Sequence, residues 1–510
     1  TGTITDFDGN FSIKSPGNAR VKISYIGYAT QMIAVSDKEF YPVTMKQDAE
    51  VLDEVVVTAL GIKRAEKALS YNVQQVKGDE ITAIKDANFI NSLNGKIAGV
   101  SINKSGVGGA TRVVMRGAKS IEGDNNALYV VDGIPLFNTN MGNTDSGIMG
   151  EGKAGTEGVA DFNPEDIESI SILSGPSAAA LYGSSAANGV VLITTKKGQE
   201  GKLQISFSSS SEFSKAYMMP EFQNTYGNKE GMFESWGDKL SRPNSYDPKS
   251  DFFNTGTNFI NSLTLSTGTK QNQTFASVSS TNSKGIVPNN KYDRYNFNVR
   301  NTTSFLDDKM TLDVNASYIL QKDRNMVNQG TYNNPLVGAY LFPRGNDWED
   351  IKMYERYDVA RKIYTQYWPT GDGNMTMQNP YWVNYRNLRE NKKDRYMLGA
   401  SLNYQILDWL NVSGRVRLDN SNNDYTEKAY ASTNTQLTEL SDRGLYGISR
   451  SYEKQLYADF LVSVNKTFGE KWSLQANVGG SFTDMRYDEI AVRGPIADDS
   501  KTFAGEKAGL

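Results

Sequence analysis

Cysteine and histidine are both absent from this 510-residue sequence, which removes most of the side chains that catalytic sites are built from. Ser-His-Asp triads, thiolate nucleophiles and His- or Cys-ligated zinc or iron centres are all out of reach. The 58 acidic residues make some Asp/Glu pair inevitable, so a pair by itself points to no hydrolase. Asp6-Phe-Asp8-Gly9 has the look of a calcium loop, but no bidentate Glu follows at loop spacing, and Asp8-Gly9 reads instead as a hairpin turn. Ser105-Gly-Val-Gly-Gly-Ala110 lacks the strand-to-helix setting and the GK[ST] of a phosphate loop. With Gly183–Gly189 it reads as backbone turns, and no metal or cofactor is expected.

What remains is non-covalent chemistry, in two places. The stretch VLDEVVVTALG (51–61) sets a β-branched run inside a charged linker. Such a run favours an extended strand and offers its main-chain donors and acceptors to whatever will pair with it. The second place is segment 323–394, with Tyr332, Tyr340, Phe342, Trp348, Tyr354, Tyr357, Tyr364, Tyr367, Trp368, Tyr381, Trp382 and Tyr385. Aromatic faces stack on sugar rings and grip peptide side chains. A segment this long also needs a small core of its own, so packing competes as the role of each ring.

The elements that must position these residues fall into four regions. Residues 1–47 alternate like short strands (Thr3–Thr5, Asn10–Ile13, Arg20–Tyr25, Gln31–Val35) and suggest a partial β-sandwich whose start lies upstream. Residues 48–65 are the linker. Residues 66–200 are compact and glycine-rich, with strands expected at Thr111–Arg116, Ala127–Val131, Ile170–Leu173 and Val190–Thr194 and a helical turn at Pro164.

From 201 the texture changes to long alternation. Met310, Leu312, Val314, Ala316, Tyr318 and Leu320 alternate with Thr311, Asp313, Asn315 and Ser317, and three later runs do the same. Runs of ten residues or more exceed the usual strand and match what a tilted strand needs to cross a bilayer, with lipid on one side and water on the other. Nine such strands are predicted: 202–213, 259–268, 273–284, 293–306, 309–322, 395–407, 410–425, 452–468 and 471–487. Short turns join one side, and Trp409 and Trp472 beside them suit an interfacial girdle. Long loops at about 214–258, 323–394 and 426–452 join the other. A mean hydropathy of −0.51 suits such a barrel, and a net charge of −4 gives no case for nucleic acid. Nine strands are too few to enclose a 66–200 domain, so the sequence reads as the front part of a larger barrel.

In order along the chain, ISYIGY (23–28), LDEVVVTALGIKR (52–64), LNGKIAGVSI (93–102), VVMRG (113–117), LYVVDGIP (128–135) and NPEDIESISILSGPSAAALYGSSAANGVVLITTKKG (163–198) resemble the SusC/RagA-like TonB-dependent transporters of Bacteroidetes outer membranes. Ser174 stands where that family often has Lys, and Ser185-Ala186 where Arg-Gly is common. The resemblance implies a mainly β fold: a transmembrane antiparallel barrel, about 9 strands present of an expected 22. It also implies an α+β plug at 66–200 and a carboxypeptidase-regulatory-like sandwich at 1–47. Asp53, Glu54, Val55, Val56, Val57 and Thr58 would be the TonB box, which adds a strand to a sheet edge of periplasmic TonB, itself powered by ExbB/ExbD. The competing assignment makes 53–58 the last strand of the N-terminal sandwich.

The implied function is import of an oligosaccharide or peptide, with a SusD-like surface lipoprotein as lid, and no enzymatic activity. Tyr332, Trp348, Tyr367, Trp368, Tyr381 and Trp382 would meet substrate, and Arg112 and Arg116 would hold the plug to the barrel wall. A signalling receptor and a surface glycan-binding adhesin are the alternatives.

Overall fold

The computed structural model describes residues 3, 5, 11–14, 19–25, 28–35, 40–44, 55–57, 63–65, 73–83, 85–104, 108–120, 125–136, 155–173, 178–179, 182–328, 330–331, 333–469 and 472–496. The chain divides into two units, Thr1–Val73 and Gln74–Leu510. In the first, Arg20–Tyr25 and Tyr28–Ala34 pair antiparallel, as the alternation of VKISY and TQMIA requires. Val55–Val57 also forms a strand, and its partner is near in sequence: Lys63–Ala65, antiparallel, with Val56 opposite Arg64. The expected turn at Asp8-Gly9 lies outside the described residues.

In the second unit a wall of nine antiparallel strands runs in sequence order. They are β1 (Gly201–Ser214), β2 (Gly256–Gly268), β3 (Asn272–Lys284), β4 (Lys291–Phe305), β5 (Met310–Arg324), β6 (Asn387–Leu407), β7 (Leu410–Ala429), β8 (Leu445–Phe468) and β9 (Trp472–Pro495). Alternation sends Phe297, Val299, Val314, Tyr318, Leu398 and Leu402 to an exposed apolar face, while Arg294, Asn296, Arg300, Asp313, Gln321, Lys393 and Arg395 are buried on the other. Short turns close one end. Between β4 and β5 three successive residues, Leu306, Asp307 and Asp308, take left-handed backbone angles (φ 53°, 53° and 66°), a tight reversal in which Asp is at home.

Against the polar face lies a compact core of Val76, Ile81, Phe89, Ile90, Leu93, Tyr129, Ile167, Ile170, Val191 and Ile193. A five-stranded sheet organises it, with Ile167–Leu173 antiparallel to Val190–Thr195 and Leu128–Val131 parallel to the latter. Asn163 caps the turn Pro164–Asp166 by accepting from the Glu165 amide, with Pro at the first helical position, just before the strand.

Candidate functional site

Between core and wall the contacts are polar, and most of the donors sit on the wall. Asp161 is fully buried on a short turn of the core (Gly158–Asp161). Its carboxylate receives the Lys393 ammonium at 2.6 Å and the Arg395 guanidinium at 2.7 Å, both from β6. Arg395 holds Asp419 of β7 with its other edge (2.8 and 2.6 Å) and reaches the Gly158 carbonyl at 2.7 Å. Burial alone would raise the Asp161 pKa, but Lys393 and Arg395 outweigh it and hold the group below its ordinary value. Arg294 donates to the carbonyls of Ala87 (3.0 Å) and Ala160, and Asn296 to that of Asp161.

Toward the short turns, Asp132 plays the corresponding part. Its carboxylate accepts from the Thr195 amide (3.0 Å) and hydroxyl (2.7 Å) and from Arg300 of β4 (3.1 Å). Arg300 meanwhile grips Asp313 at 2.8 and 2.9 Å. Arg415 and Arg417 of β7 donate to the carbonyls of Asp132 (3.1 Å) and Pro135 (2.7 Å). Lys85 pairs with Glu165 at 2.6 Å within the core and also reaches Ser208 of β1. At Asp166 burial outweighs the hydrogen bonds of Ser277 and Asn163 and the charge of Lys196, and pushes its pKa up to about 6.

Close approach is also required at Gly108, whose φ of 68° brings it against the Tyr292 ring. A Cβ built there would lie 2.3 Å from that ring, so only glycine fits.

Beyond the opposite end of the wall, the three long loops knit into one layer. Trp348 stacks on Tyr246 (centroids 4.0 Å apart) and meets Phe342 edge-on at 5.0 Å, joining loop 325–386 to loop 215–255. Tyr246 also donates to the Ala339 carbonyl at 2.8 Å. Trp382 is fully buried and donates to the Thr433 hydroxyl at 3.0 Å, tying in the third loop. Asn379 caps the helix Pro380–Arg386 and donates to the carbonyls of Ile351 and Tyr367.

The first 57 residues match the model of the CarboxypepD_reg-like domain, and residues 65–190 match that of the TonB-dependent receptor plug domain. TonB-dependent receptor SusC of Bacteroides thetaiotaomicron is 33 % identical over 331 residues, 64 % of this chain and 32 % of that protein. In sequence and fold the chain is similar to the SusC/RagA-like TonB-dependent transporters. TonB-dependent receptor P3 of Formosa agariphila is 28 % identical over 92 % of this chain and 44 % of its own length. In fold, a structure of the RagAB peptide importer in its closed-closed state superposes with a TM-score of 0.64, at 18 % identity, over 85 % of this chain and 50 % of that one. The chain therefore spans half or less of the length of these relatives. The matched residues make the core a TonB-dependent receptor plug domain, and the superposition makes the wall the counterpart of part of an outer-membrane β-barrel.

Within this fold several expected positions move. Trp348 and Trp382 are core residues of the loop layer, at 3 % and 0 % exposure, so their faces cannot stack on a ligand; a long loop spends its largest rings on its own packing. Tyr381 packs against Phe252 and Trp348, and Trp368 against Phe342, both as parts of the same cluster. The Tyr367 hydroxyl donates to the Asp350 carboxylate, which holds its pKa up. Tyr332 lies outside the described residues, as do Asp53, Glu54 and Thr58. Arg112 and Arg116 are exposed on the plug, and the plug-to-wall contacts are made chiefly by the arginines of the wall. The signal for those arginines was present, because each sits at an inward position in the alternation.

Proposed function

We propose that the protein imports an oligosaccharide or peptide across the outer membrane, driven by TonB with ExbB/ExbD and working with a SusD-like surface lipoprotein. The observation that carries this is the polar character of the plug-to-wall contact. Wall arginines hold plug carbonyls and two plug carboxylates, and hydrogen bonds to charged groups such as these contribute about 1.5–3 kcal/mol each, because water replaces most of what is lost when they part. A plug seated this way is secure at rest and can be displaced by a pull, which an apolar seat would resist. In this reading Asp53–Thr58 is the handle. Its central strand already pairs with Lys63–Ala65, so TonB takes up Val55–Val57 by displacing a three-residue partner. Burial of Trp348 and Trp382 leaves stacking on a substrate to exposed loop rings such as Tyr357 and Tyr364, which lie edge-to-face at 5.4 Å.

Val56→Pro in the full-length protein tests this. Proline removes a donor and blocks strand pairing, so growth on mixtures of glycans or peptides as sole carbon source is lost while the barrel still assembles. Undiminished growth would overturn the reading. Val57→Cys adds a second test, as a site for cross-linking to TonB in the periplasm within a stretch that has no cysteine of its own.

A further inference from the structure

The exposed face of the wall is not apolar along its whole height. At the long-loop end Lys284 of β3, Lys291 of β4 and Arg324 of β5 are direct cross-strand neighbours, on the face that carries Val278, Phe297 and Tyr318 lower down. One row below, Lys322 of β5 stands opposite Lys392 of β6. Like charges set directly opposite one another across strands destabilise a sheet, and this patch does so three times: Lys284 with Lys291, Lys291 with Arg324, and Lys322 with Lys392.

The acids nearby offset it only in part, although Asp293 stands opposite Lys322 and Asp424 opposite Lys392. Glu390 is taken by Arg324, with Lys322 at 3.7 Å; Asp293 accepts from Asn282 at 2.7 Å; and Asp424 pairs with Arg450 at 3.1 Å. Lys284, Lys291 and Lys392 are exposed and have no carboxylate within ion-pair distance among the described residues.

Position supplies the second argument. Directly beneath the cations come Tyr295, Leu320 and Asp394, whose carboxylate accepts from Asn422 at 2.9 Å; then Phe297, Tyr318 and Tyr396, and then Val299, Ala316 and Leu398, the order of an interface followed by hydrocarbon. From Lys322 down to Met310 is twelve residues on one strand, about 40 Å of chain, or roughly 30 Å along the membrane normal at barrel tilt. The cations thus stand just above an apolar band of about 25 Å, at the level of the outer-leaflet headgroups.

We propose that Lys284, Lys291, Arg324, Lys322 and Lys392 form a binding site for the phosphate groups of outer-leaflet lipid headgroups. A phosphorylated headgroup neutralises the opposed cations while its acyl chains lie along the apolar rows beneath. The proposal rests on the outer-membrane placement of the wall and is independent of what is imported.

The test uses the full-length protein extracted from the outer membrane in mild detergent and examined by native mass spectrometry. The wild type is expected to retain lipid carrying phosphate, and Lys284→Gln/Lys291→Gln/Lys392→Gln to lose it. At about fivefold per lysine near an anionic surface, the triple change lowers retention about 100-fold. Heat-modifiable migration on a gel reports folding separately, so a variant that fails to form a barrel is recognised as such. The wild type is also offered phosphorylated lipid A in nanodiscs, alongside the same lipid after phosphatase treatment. Preference for the phosphorylated form supports the site. Equal retention of both, displacement by inorganic phosphate alone, or an acidic protein held through the same lysines would each overturn it.

Discussion

Asp161→Asn tests the plug-to-wall contact at its most buried point. Asp161, Asp419, Lys393 and Arg395 lie within hydrogen-bond distance of one another, and their charges sum to zero. Neutralising Asp161 leaves the cluster with one uncompensated positive charge, on side chains that are at most 6 % exposed. Removing one partner of such a buried group costs about 3–5 kcal/mol, whereas replacing both is often close to neutral. Asp161→Asn therefore loosens the plug by that amount. Asp161→Asn/Lys393→Met leaves Arg395 and Asp419 as a neutral bidentate pair and recovers most of the loss.

Hydrogen exchange on plug residues 155–173 in the full-length protein reads the effect directly. Amides that exchange when the plug leaves the wall should speed up by roughly 150- to 5,000-fold in the single variant and return toward wild type in the double. Unchanged exchange in the single variant, or a double variant worse than the single, would show that the plug is held by something other than this charge cluster.

Asp166 gives a pH dependence of opposite sign to most carboxylates. Its pKa is pushed up to about 6 in the folded protein against about 3.9 when unfolded. Its contribution is therefore most favourable below about pH 4, declines between about pH 4 and 6, and stays unfavourable above. Thermal unfolding should show Asp166→Asn stabilising at pH 7 and making no difference near pH 4. Trp348→Ala removes the ring that joins two loops and should destabilise the loop layer by about 3–5 kcal/mol; limited proteolysis would show faster cleavage within 325–386, with the barrel strands intact.

Much of the wall was legible because a strand with lipid on one face and a polar interior on the other writes a two-residue period into its sequence. All nine strands lie where that period places them. Their loop-side ends were misjudged for the same reason: β6 begins at Asn387 rather than 395, and β8 at Leu445 rather than 452. Asn387-Leu-Arg-Glu-Asn-Lys-Lys-Asp394 stands above the hydrocarbon, where both faces meet water or protein polar groups and alternation disappears. In the plug, Val100–Lys104 was missed because its pattern is too short to rise above the surrounding turns. The aromatic loop was legible only as a concentration of rings. Which of them face out depends on partners such as Tyr246 and Thr433, some hundred and some fifty residues away, and no local pattern encodes that. The arginines of the wall were visible as inward positions, but an inward arginine has no recognisable partner until the plug is in place.

The length of β8 and β9 has a consequence for where the loop layer stands. Each has 24 residues, about 80 Å of strand, or roughly 60 Å of height at barrel tilt. A hydrocarbon core of about 30 Å accounts for half of that. The remainder rises above the bilayer as a parapet, and the Trp348 cluster is built at that height. Under the import proposed above, cargo meets the protein some tens of ångströms before it reaches the lipid surface, in a forecourt walled by hydrogen-bonded strands. Such a forecourt keeps its shape while the plug below it moves.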